Sequence, residues 1–166
     1  MTFCASFSGP APNTLVRPAL SLGVDIILPT GSSGAEAHMA AALFRSANDL
    51  LQTAAYQVSV RTLGEQPAGD ARYWTRRTAI FMGGISTRWT VTPEERNRTA
   101  QILHLAARPV LAGSAVFLLH ETGMHRVHQA AIHPNFAAAA QEYFLTPATN
   151  GELVAQSGNI HSAISG

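Results

Sequence analysis

Apolar residues recur along the chain with two different periods, one typical of strands and one typical of helices. Short apolar runs occupy residues 24–28 and 78–82, and residues 56–60 alternate between apolar and polar side chains. Runs of this length that end at proline or glycine are typical of buried strands. The stretch after the first run repeats at helical spacing instead, with an apolar stripe made of Ala40, Leu43, Phe44, Ala47 and Leu51. Strands that alternate with amphipathic helices predict an α/β fold built on a parallel, doubly wound sheet.

Two helix starts carry capping signals. Ser33 and Glu36 are spaced as a capping box, in which each side chain satisfies a free backbone amide. Thr92, Pro93 and Glu95 combine a capping threonine, a proline in the first turn and a second capping box. The second helix should therefore run to about residue 107. Further along, the pattern predicts strands at 109–112, 129–132 and 152–160 and helices at 115–122 and 134–144.

Composition and length fit a single folded domain. The chain has 166 residues, of which 46% are hydrophobic and 13% charged, and this is too apolar for a disordered segment. Residues 1–18 contain several prolines and show no period, so they are predicted to form an irregular arm before a domain over 19–166. The 11 basic and 10 acidic side chains give a net charge of +1, which indicates no basic face for nucleic acid.

The amino-terminal sequence and the cysteine content indicate a cytoplasmic protein. Cys4 is the only cysteine, so no internal disulfide can form. The chain does not begin with a basic segment followed by a long apolar run, and none of its apolar runs is long enough to cross a bilayer. We therefore expect a cytoplasmic location and no membrane partner.

Three turns made of small residues are expected at one edge of the sheet. Residues 31–34, Gly83-Gly84 and Gly113-Ser114 each follow a predicted strand. The carboxyl ends of parallel strands meet at one edge, and ligands bind there in sheets of this kind. Glycines let the backbone approach a ligand closely, although they also serve simply to make tight strand-to-helix turns. The convergence of the three turns favours a pocket.

Two further groups of residues are candidates for chemistry. The turn Gly113-Ser114 resembles a nucleophile elbow, but its surroundings do not match G-x-S-x-G, so a helix-capping role for Ser114 is favoured over a catalytic one. His125, His128 and His133 have a spacing that fits neither a zinc pattern nor a metalloprotease helix. We expect neither a metal nor another cofactor.

Six segments, taken together, resemble one known family. They are Ile27-Leu28-Pro29, the helix end from Leu43 to Asn48, Phe81-Met82-Gly83-Gly84, residues 112–123, Ala131-Ile132-His133, and the segment from Ile160 to Ala163. Their order and spacing, from about residue 23 to residue 166, resemble the GlxA-type branch of the ThiJ/PfpI superfamily. In that branch this domain forms the amino-terminal part of AraC-family transcriptional regulators. The resemblance implies a three-layer, mostly parallel sheet of the flavodoxin-like, class I glutamine amidotransferase-like type.

The family's catalytic groups are not matched in this chain. Gly113 stands at the position of the family's nucleophilic cysteine, Ala42 stands at that of its acidic partner, and His133 remains at its histidine position. A base without a nucleophile performs no covalent catalysis. The resemblance therefore implies no catalytic residues and a ligand-binding site formed by Gly84, Gly113, Ser114 and His133. A leucine in place of Gly113 should then fill the crevice with little change in stability.

The leading functional expectation is a non-catalytic small-molecule-sensing or dimerisation domain of an AraC-type regulator. Such a domain would form a homodimer, bind an unknown small-molecule effector, and reach DNA only through a helix-turn-helix region absent from this chain. The family continues into a further helix after the position of Gly166, so apolar surface near 154–164 is expected to be uncovered and to promote self-association. Two alternatives stay open. One is an enzyme of the same fold with an altered nucleophile (a hydrolase, a hydratase or an amidotransferase-like protein), and the other is a dimerisation module without a ligand.

Overall fold

The centre of the fold is a six-stranded sheet. The computed structural model describes residues 21–32, 34–66, 70–148 and 152–164. The described residues form eight strands, which in chain order are β1 Leu22–Leu28, β2 Tyr56–Thr62, β3 Arg77–Met82, β4 Arg108–Ala112, β5 Gln129–Ala130, β6 Thr146–Pro147, β7 Val154–Ser157 and β8 Ile160–Ala163. Six of these strands form the main sheet in the spatial order β2-β1-β3-β4-β8-β7. Adjacent strands in this sheet are parallel, except for the antiparallel pair β7–β8. β5 and β6 form a separate short parallel pair.

Helices connect the strands. They are α1 Ala35–Leu51, α2 Ala71–Trp74, α3 Pro93–Leu105, α4 Leu118–Glu121 and α5 Ala137–Glu142, with 3₁₀ segments at Leu63–Glu65, Gly113–Phe117, Met124–Arg126 and Pro134–Phe136. The predicted α/β fold with a mostly parallel sheet is therefore confirmed. The arm predicted over 1–18 lies outside the described residues, and its boundary stays a prediction.

The side chains of β1 and β3 alternate between two apolar clusters. Ile27 and Phe81 belong to the larger cluster, which also contains Leu103 of α3. Ile26 belongs to the smaller cluster, which includes alanines of α1, and Ile80 packs against it. Successive side chains of a strand point to opposite faces of a sheet, so the two clusters lie on opposite faces. This arrangement gives the three layers of a doubly wound sheet.

Helix α1 faces the sheet with alanines rather than with the whole of the predicted stripe. Ala37 and Ala41 are buried and Phe44 packs against the same cluster, whereas Leu43 and Leu51 are 74% and 58% exposed. The prediction was wrong for these two leucines. Alanines at helical spacing offer a narrow face that lets the helix approach the strands closely, and this orientation turns the leucines towards solvent.

The two predicted helix starts have different outcomes. Ser33 lies outside the described residues, and the N-cap position of α1 is Gly34, which has a left-handed φ of 70° and no side-chain cap. The capping box of α3 is confirmed. The Glu95 amide donates to Thr92 Oγ1 at 3.2 Å, and the Thr92 amide donates to Glu95 Oε2 at 2.9 Å. The helix ends at Leu105, slightly before the predicted end.

The carboxyl-terminal third differs most from the sequence prediction. The strand expected over 152–160 is a hairpin, because β7 and β8 run antiparallel on either side of Gly158 and Asn159. Gly158 has a φ of 62°, the left-handed conformation that two-residue hairpin turns require. The strand expected at 129–132 covers two residues only, and both helices predicted in this third begin as 3₁₀ turns. Leu153 and Val154 are 67% and 62% exposed, so apolar surface is uncovered at the start of β7.

A buried network of polar side chains joins β1, β2 and β3. Asp25 is fully buried, and its carboxylate accepts hydrogen bonds from the hydroxyls of Ser59 at 2.5 Å and Tyr73 at 2.7 Å. Arg77 forms an ion pair with the same carboxylate, and its guanidinium lies 4.5 Å from the centre of the Tyr73 ring. A buried carboxylate is tolerated only when it is paired and hydrogen-bonded, so this network is a structural element of the sheet.

Candidate functional site

The candidate elbow at the end of β4 is filled by backbone. Gly113 is buried and has a left-handed φ of 58°. A Cβ atom at this position would overlap the carbonyl oxygen of Gly83 and lie 3.0 Å from that of Gly84. The turn therefore keeps the sharp geometry of an elbow, but the two neighbouring carbonyls occupy the space into which a side chain would project.

Backbone hydrogen bonds hold this arrangement together. The Ser114 amide donates to the carbonyl of Gly84 at 3.0 Å, and the Gly83 amide donates to the carbonyl of Ala112 at 3.0 Å. In a nucleophile elbow the amide of the residue after the nucleophile helps to form the oxyanion hole. Here that residue is Ser114, and its amide is already used by Gly84.

The expectation that Gly113→Leu would be accepted with little cost is wrong. It assumed that residue 113 faces open space, whereas an added Cβ meets fixed backbone atoms at once. Gly84, unlike Gly113, has room for a side chain, because nothing lies within 4 Å of a Cβ added there.

Ser114 is 1% exposed and lies within the 3₁₀ segment rather than at its cap. The cap position is Ala112, which has no side-chain cap, so the capping role expected for Ser114 is wrong. Within the described ranges, none of the hydrogen bonds made by side chains joins the Ser114 hydroxyl to a histidine. A serine nucleophile needs a base within hydrogen-bond reach, and this arrangement does not supply one.

A cavity of about 750 Å³ opens at the carboxyl ends of β1, β3 and β4. Gly84 and Ser114 both line it, next to residues that follow β1 and to the segment over 86–92. Several side chains of this wall carry hydroxyl groups, among them those of Thr30, Ser32, Ser86, Thr87, Thr90 and Thr92. This is the edge at which open α/β sheets bind ligands.

Two charged side chains line the same cavity, and they differ in their partners. Glu95 Oε1 accepts a hydrogen bond from the Thr30 hydroxyl at 2.7 Å, and Oε2 accepts one from the Thr92 amide at 2.9 Å. The hydrogen bond from the Thr92 backbone is the main reason why the pKa of Glu95 lies below its ordinary value. Arg88 has no such partner. Its guanidinium lies 3.9 Å from the centre of the Tyr143 ring, and no ion pair within the described ranges involves it.

The loop that carries Arg88 is anchored from both sides. The next residue, Trp89, is 3% exposed and packs edge-on against Phe81 at a ring distance of 6.0 Å. The Asn135 side chain donates to the carbonyl of Ile85 at 3.3 Å. Arg88 was not identified from the sequence. The available signal was the pair Ser86-Thr87 shortly after Gly84, which places polar side chains at the predicted ligand edge.

The four predicted ligand-binding residues are only partly brought together. Gly84 and Ser114 line the cavity, whereas Gly113 and His133 are not part of its wall. The ring of His133 is used locally, because its Nδ1 accepts a hydrogen bond from the Asn135 amide at 3.1 Å. Since Asn135 also contacts Ile85, the His133 segment lies beside the loop rather than at the elbow. Ligand binding by these residues stays a prediction.

Ala42, which was assigned to the position of the family's acidic residue, does not lie near the candidate site. Ala42 is exposed in the middle of α1, away from the strand ends. The acidic residue near the candidate site is Glu36 in the first turn of α1, which lines a smaller cavity of about 250 Å³ together with Gly84 and Met82. Both Ala42 and Glu36 lie in α1, so a position set by its distance from Phe44 stayed in the middle of the helix and missed the first turn.

The histidines do not converge either. His125 stacks against His120 at a ring distance of 5.0 Å, whereas His128 contacts the Ser157 carbonyl at 3.0 Å. Over the described part of the chain, no group of three or more metal-ligating side chains is placed to hold an ion. No helix in that part is both long and apolar enough to span a membrane.

Solved structures share this fold. A Vibrio parahaemolyticus protein named as a transcriptional regulator has a TM-score of 0.67 and 16% identity, over 87% of this chain and 84% of its own. An AraC family transcriptional regulator from Pseudomonas putida has a TM-score of 0.61 and 20% identity over the same shares. A ThiJ/PfpI family protein from Pseudomonas syringae has a TM-score of 0.59 and 11% identity, over 95% of this chain and 69% of its own.

These comparisons confirm the resemblance at the level of the fold, which this chain shares with AraC family regulators and ThiJ/PfpI proteins. At such low identity the likeness speaks for the fold alone. No family model matches the sequence, and the search of curated proteins found no match.

Proposed function

We propose that this chain is a non-catalytic domain of an AraC-type transcriptional regulator and that it binds a small-molecule effector. The observation that carries the proposal is the contrast between two neighbouring features. The elbow, where this fold would present a nucleophile, is packed with the carbonyls of Gly83 and Gly84. Beside it, the cavity of about 750 Å³ is open and lined by polar side chains.

The filled elbow argues against covalent catalysis. A nucleophile needs room for its side chain, a base within reach and a free donor for the developing oxyanion. Residue 113 has no side chain, the Ser114 amide is bonded to Gly84, and the Ser114 hydroxyl has no histidine partner among the described residues. The elbow lacks all three requirements.

The open cavity argues against a purely structural module. A module that serves only for dimerisation would be expected to close this crevice with apolar side chains. Instead the wall exposes hydroxyl groups and an arginine, and the volume lies within the range of small-molecule sites. Polar groups that fix the orientation of a ligand are the usual feature of such sites.

The fold supports the regulatory context of the proposal. Two of the solved structures with this fold are named as transcriptional regulators, one of them of the AraC family. With a net charge of +1, this domain has little attraction for DNA phosphates of its own. DNA recognition would therefore be carried out in the cytoplasm by a region outside this chain, and the domain would pair with a second copy and transmit effector binding.

Saturation-transfer NMR on the 166-residue chain tests effector binding with three four-carbon probes: butyrate, butyramide and n-butylamine. We expect at least one probe to bind the parent chain. Gly84→Val should abolish that signal because it adds bulk to the cavity wall at a position with free space. Ala42→Val, which places the same valine side chain on the exposed side of α1, is the control and should bind as the parent does.

Three results would contradict the proposal. Absence of binding by every probe, or binding that Gly84→Val leaves unchanged, would exclude this cavity as the effector site. Hydrolysis of p-nitrophenyl butyrate at a rate that Ser114→Ala abolishes would establish an enzyme instead.

A further inference from the structure

Arg88 is a positive charge in the cavity wall whose donors are not used by the protein. Its side chain is half-buried, and within the described ranges no hydrogen bond or ion pair involves its N–H groups. Arginines that serve only to stabilise a fold usually donate to a carboxylate or to carbonyl oxygens, as Arg98 does with the carbonyls of Leu63 and Gly64. Arg88 lines the cavity, and a guanidinium whose donors are not used by the protein can bind an external acceptor.

The contacts of Arg88 fix its position without using its hydrogen-bonding edge. The guanidinium lies over the ring of Tyr143 at 3.9 Å and lies 6.0 Å from the centre of the Phe117 ring. Tyr143 is itself held edge-on by Phe117 at 5.9 Å and His120 at 5.1 Å. Stacking occupies the face of a guanidinium, and its N–H groups point outward in the plane. A planar acceptor with two oxygens can therefore dock on that edge at a reduced cost in side-chain entropy.

The charge balance of the cavity favours a singly charged anion over a doubly charged one. Arg88 and Glu95 are the charged side chains in the wall, and their formal charges cancel. Both oxygens of Glu95 already accept hydrogen bonds, so this carboxylate remains in place when a ligand enters. A carboxylate leaves one net negative charge in the site, whereas a phosphate dianion leaves two. The nearby hydroxyls, Thr87 among them, can serve either anion as additional donors.

We infer that the effector carries a carboxylate group, that Arg88 binds it through its N–H edge, and that Tyr143 positions Arg88 for this contact. The inference rests on the proposed function, because it assigns the ligand class of the same cavity. It gives the polar wall a specific role: Arg88 selects the charge, and the hydroxyls recognise the rest of the molecule.

Titration of the 166-residue chain with butyrate, butyramide and inorganic phosphate tests this assignment. The parent chain should bind butyrate more tightly than its uncharged isostere butyramide and more tightly than phosphate. Arg88→Gln should weaken butyrate binding by about 10-fold to 100-fold, the usual effect of a charge-assisted hydrogen bond, and leave butyramide binding unchanged. Arg108→Gln is the matched control, because Arg108 is an exposed arginine at the opposite end of β4. It should have no effect.

Variants of Tyr143 test the positioning role separately. Tyr143→Leu should weaken butyrate binding without changing butyramide binding, because the guanidinium loses its stacking partner. Tyr143→Phe keeps the ring and should restore the parent affinity. Equal loss of both probes in Tyr143→Leu would indicate a general structural effect and would contradict the positioning role.

The outcomes separate this inference from the proposed function. If butyramide binds as tightly as butyrate and Gly84→Val abolishes both, the cavity is a ligand site and the carboxylate assignment is wrong. If phosphate binds more tightly than butyrate and depends on Arg88, the anion class is wrong. If Arg88→Gln leaves butyrate binding unchanged, Arg88 is not the recognising residue. If no probe binds the parent chain, the proposed function fails and the inference fails with it.

Discussion

Replacing Gly113 by alanine tests whether the elbow is sealed by backbone. The left-handed backbone at φ 58° costs a residue with a side chain about 1–2 kcal/mol, and the loss of unfolded-state freedom returns about 0.4–1 kcal/mol. The overlap of the new Cβ with the Gly83 carbonyl adds an overpacking cost of about 1–3 kcal/mol. If the loop moves to relieve the overlap, the hydrogen bond from Ser114 to Gly84 weakens at a cost of about 1 kcal/mol. We expect a total loss of about 3 kcal/mol.

Two other glycines separate these contributions. Gly123 also has a left-handed φ, 76°, but nothing lies within 4 Å of a Cβ added there, so Gly123→Ala measures the backbone strain alone. Gly84 has neither the left-handed φ nor a close neighbour, so Gly84→Ala should change the free energy of unfolding by less than about 1 kcal/mol. Equilibrium urea unfolding, followed by circular dichroism and tryptophan fluorescence, measures all three variants. If Gly113→Ala is no more destabilising than Gly123→Ala, the carbonyls of residues 83 and 84 do not fill the elbow, and the case against a nucleophile there is lost.

Three further predictions concern the network around Asp25, helix α3 and the outer side of α1. Burial, assisted by the hydrogen bond to Asp25, raises the pKa of Tyr73 above its ordinary value of 10.0. The neutral Tyr73 hydroxyl therefore contributes to stability in full below about pH 10, and this contribution is lost as the pH rises through the folded-state pKa. Tyr73→Phe should lower the free energy of unfolding at pH 8 by about 1–3 kcal/mol and reduce the loss above pH 10, and an unchanged alkaline profile would contradict this. The pKa of Glu95 is lowered mainly by the hydrogen bond from the Thr92 amide, so its contribution to stability is present above about pH 4.5 and is lost on acidification. Glu95→Gln should therefore lower the free energy of unfolding by about 0.5–2 kcal/mol at pH 7 and by less at pH 3, as measured by urea titrations at both pH values. The expected homodimer would use the exposed apolar side of α1, where Leu43 and Leu50 are 74% and 87% exposed. Leu43→Glu should therefore give a monomer by light scattering, and a persistent dimer would exclude α1 as the interface.

Much of the central sheet could be predicted because its signals are local. The apolar runs that form β1 and β3 are followed by Pro29 and Gly83, residues that commonly end strands, so both strand ends could be predicted from the sequence. The position of the cavity also followed, since parallel strands must bring their carboxyl ends to one edge. The hairpin at Gly158 was missed although the Gly-Asn pair was a usable signal, because a single strand also fits a short apolar pattern.

Other features depend on tertiary distances that no local pattern encodes. Helix α1 contains both an alanine face and a set of leucines, and periodicity alone does not decide which one packs on the strands. The identification of Gly113 as an open position failed for the same kind of reason. Its spacing in the chain was correct for an elbow, but the atoms that fill the elbow come from a different strand ending.

The absence of a side chain at residue 113 and the polar cavity beside it are linked by geometry. The chain must turn sharply after β4 whether or not it presents a nucleophile, so the left-handed φ persists at Gly113. Without a side chain there, the carbonyls of Gly83 and Gly84 can approach the turn, and the Gly84 carbonyl receives the Ser114 amide. That contact fixes the point at which the segment over 86–92 leaves the sheet and therefore the wall that carries Arg88. The physical basis of the proposed sensor is thus that the backbone which closes the elbow also supports the ligand-facing loop. Substitutions at Gly113 should accordingly affect ligand binding as well as stability, although this residue is not part of the cavity wall.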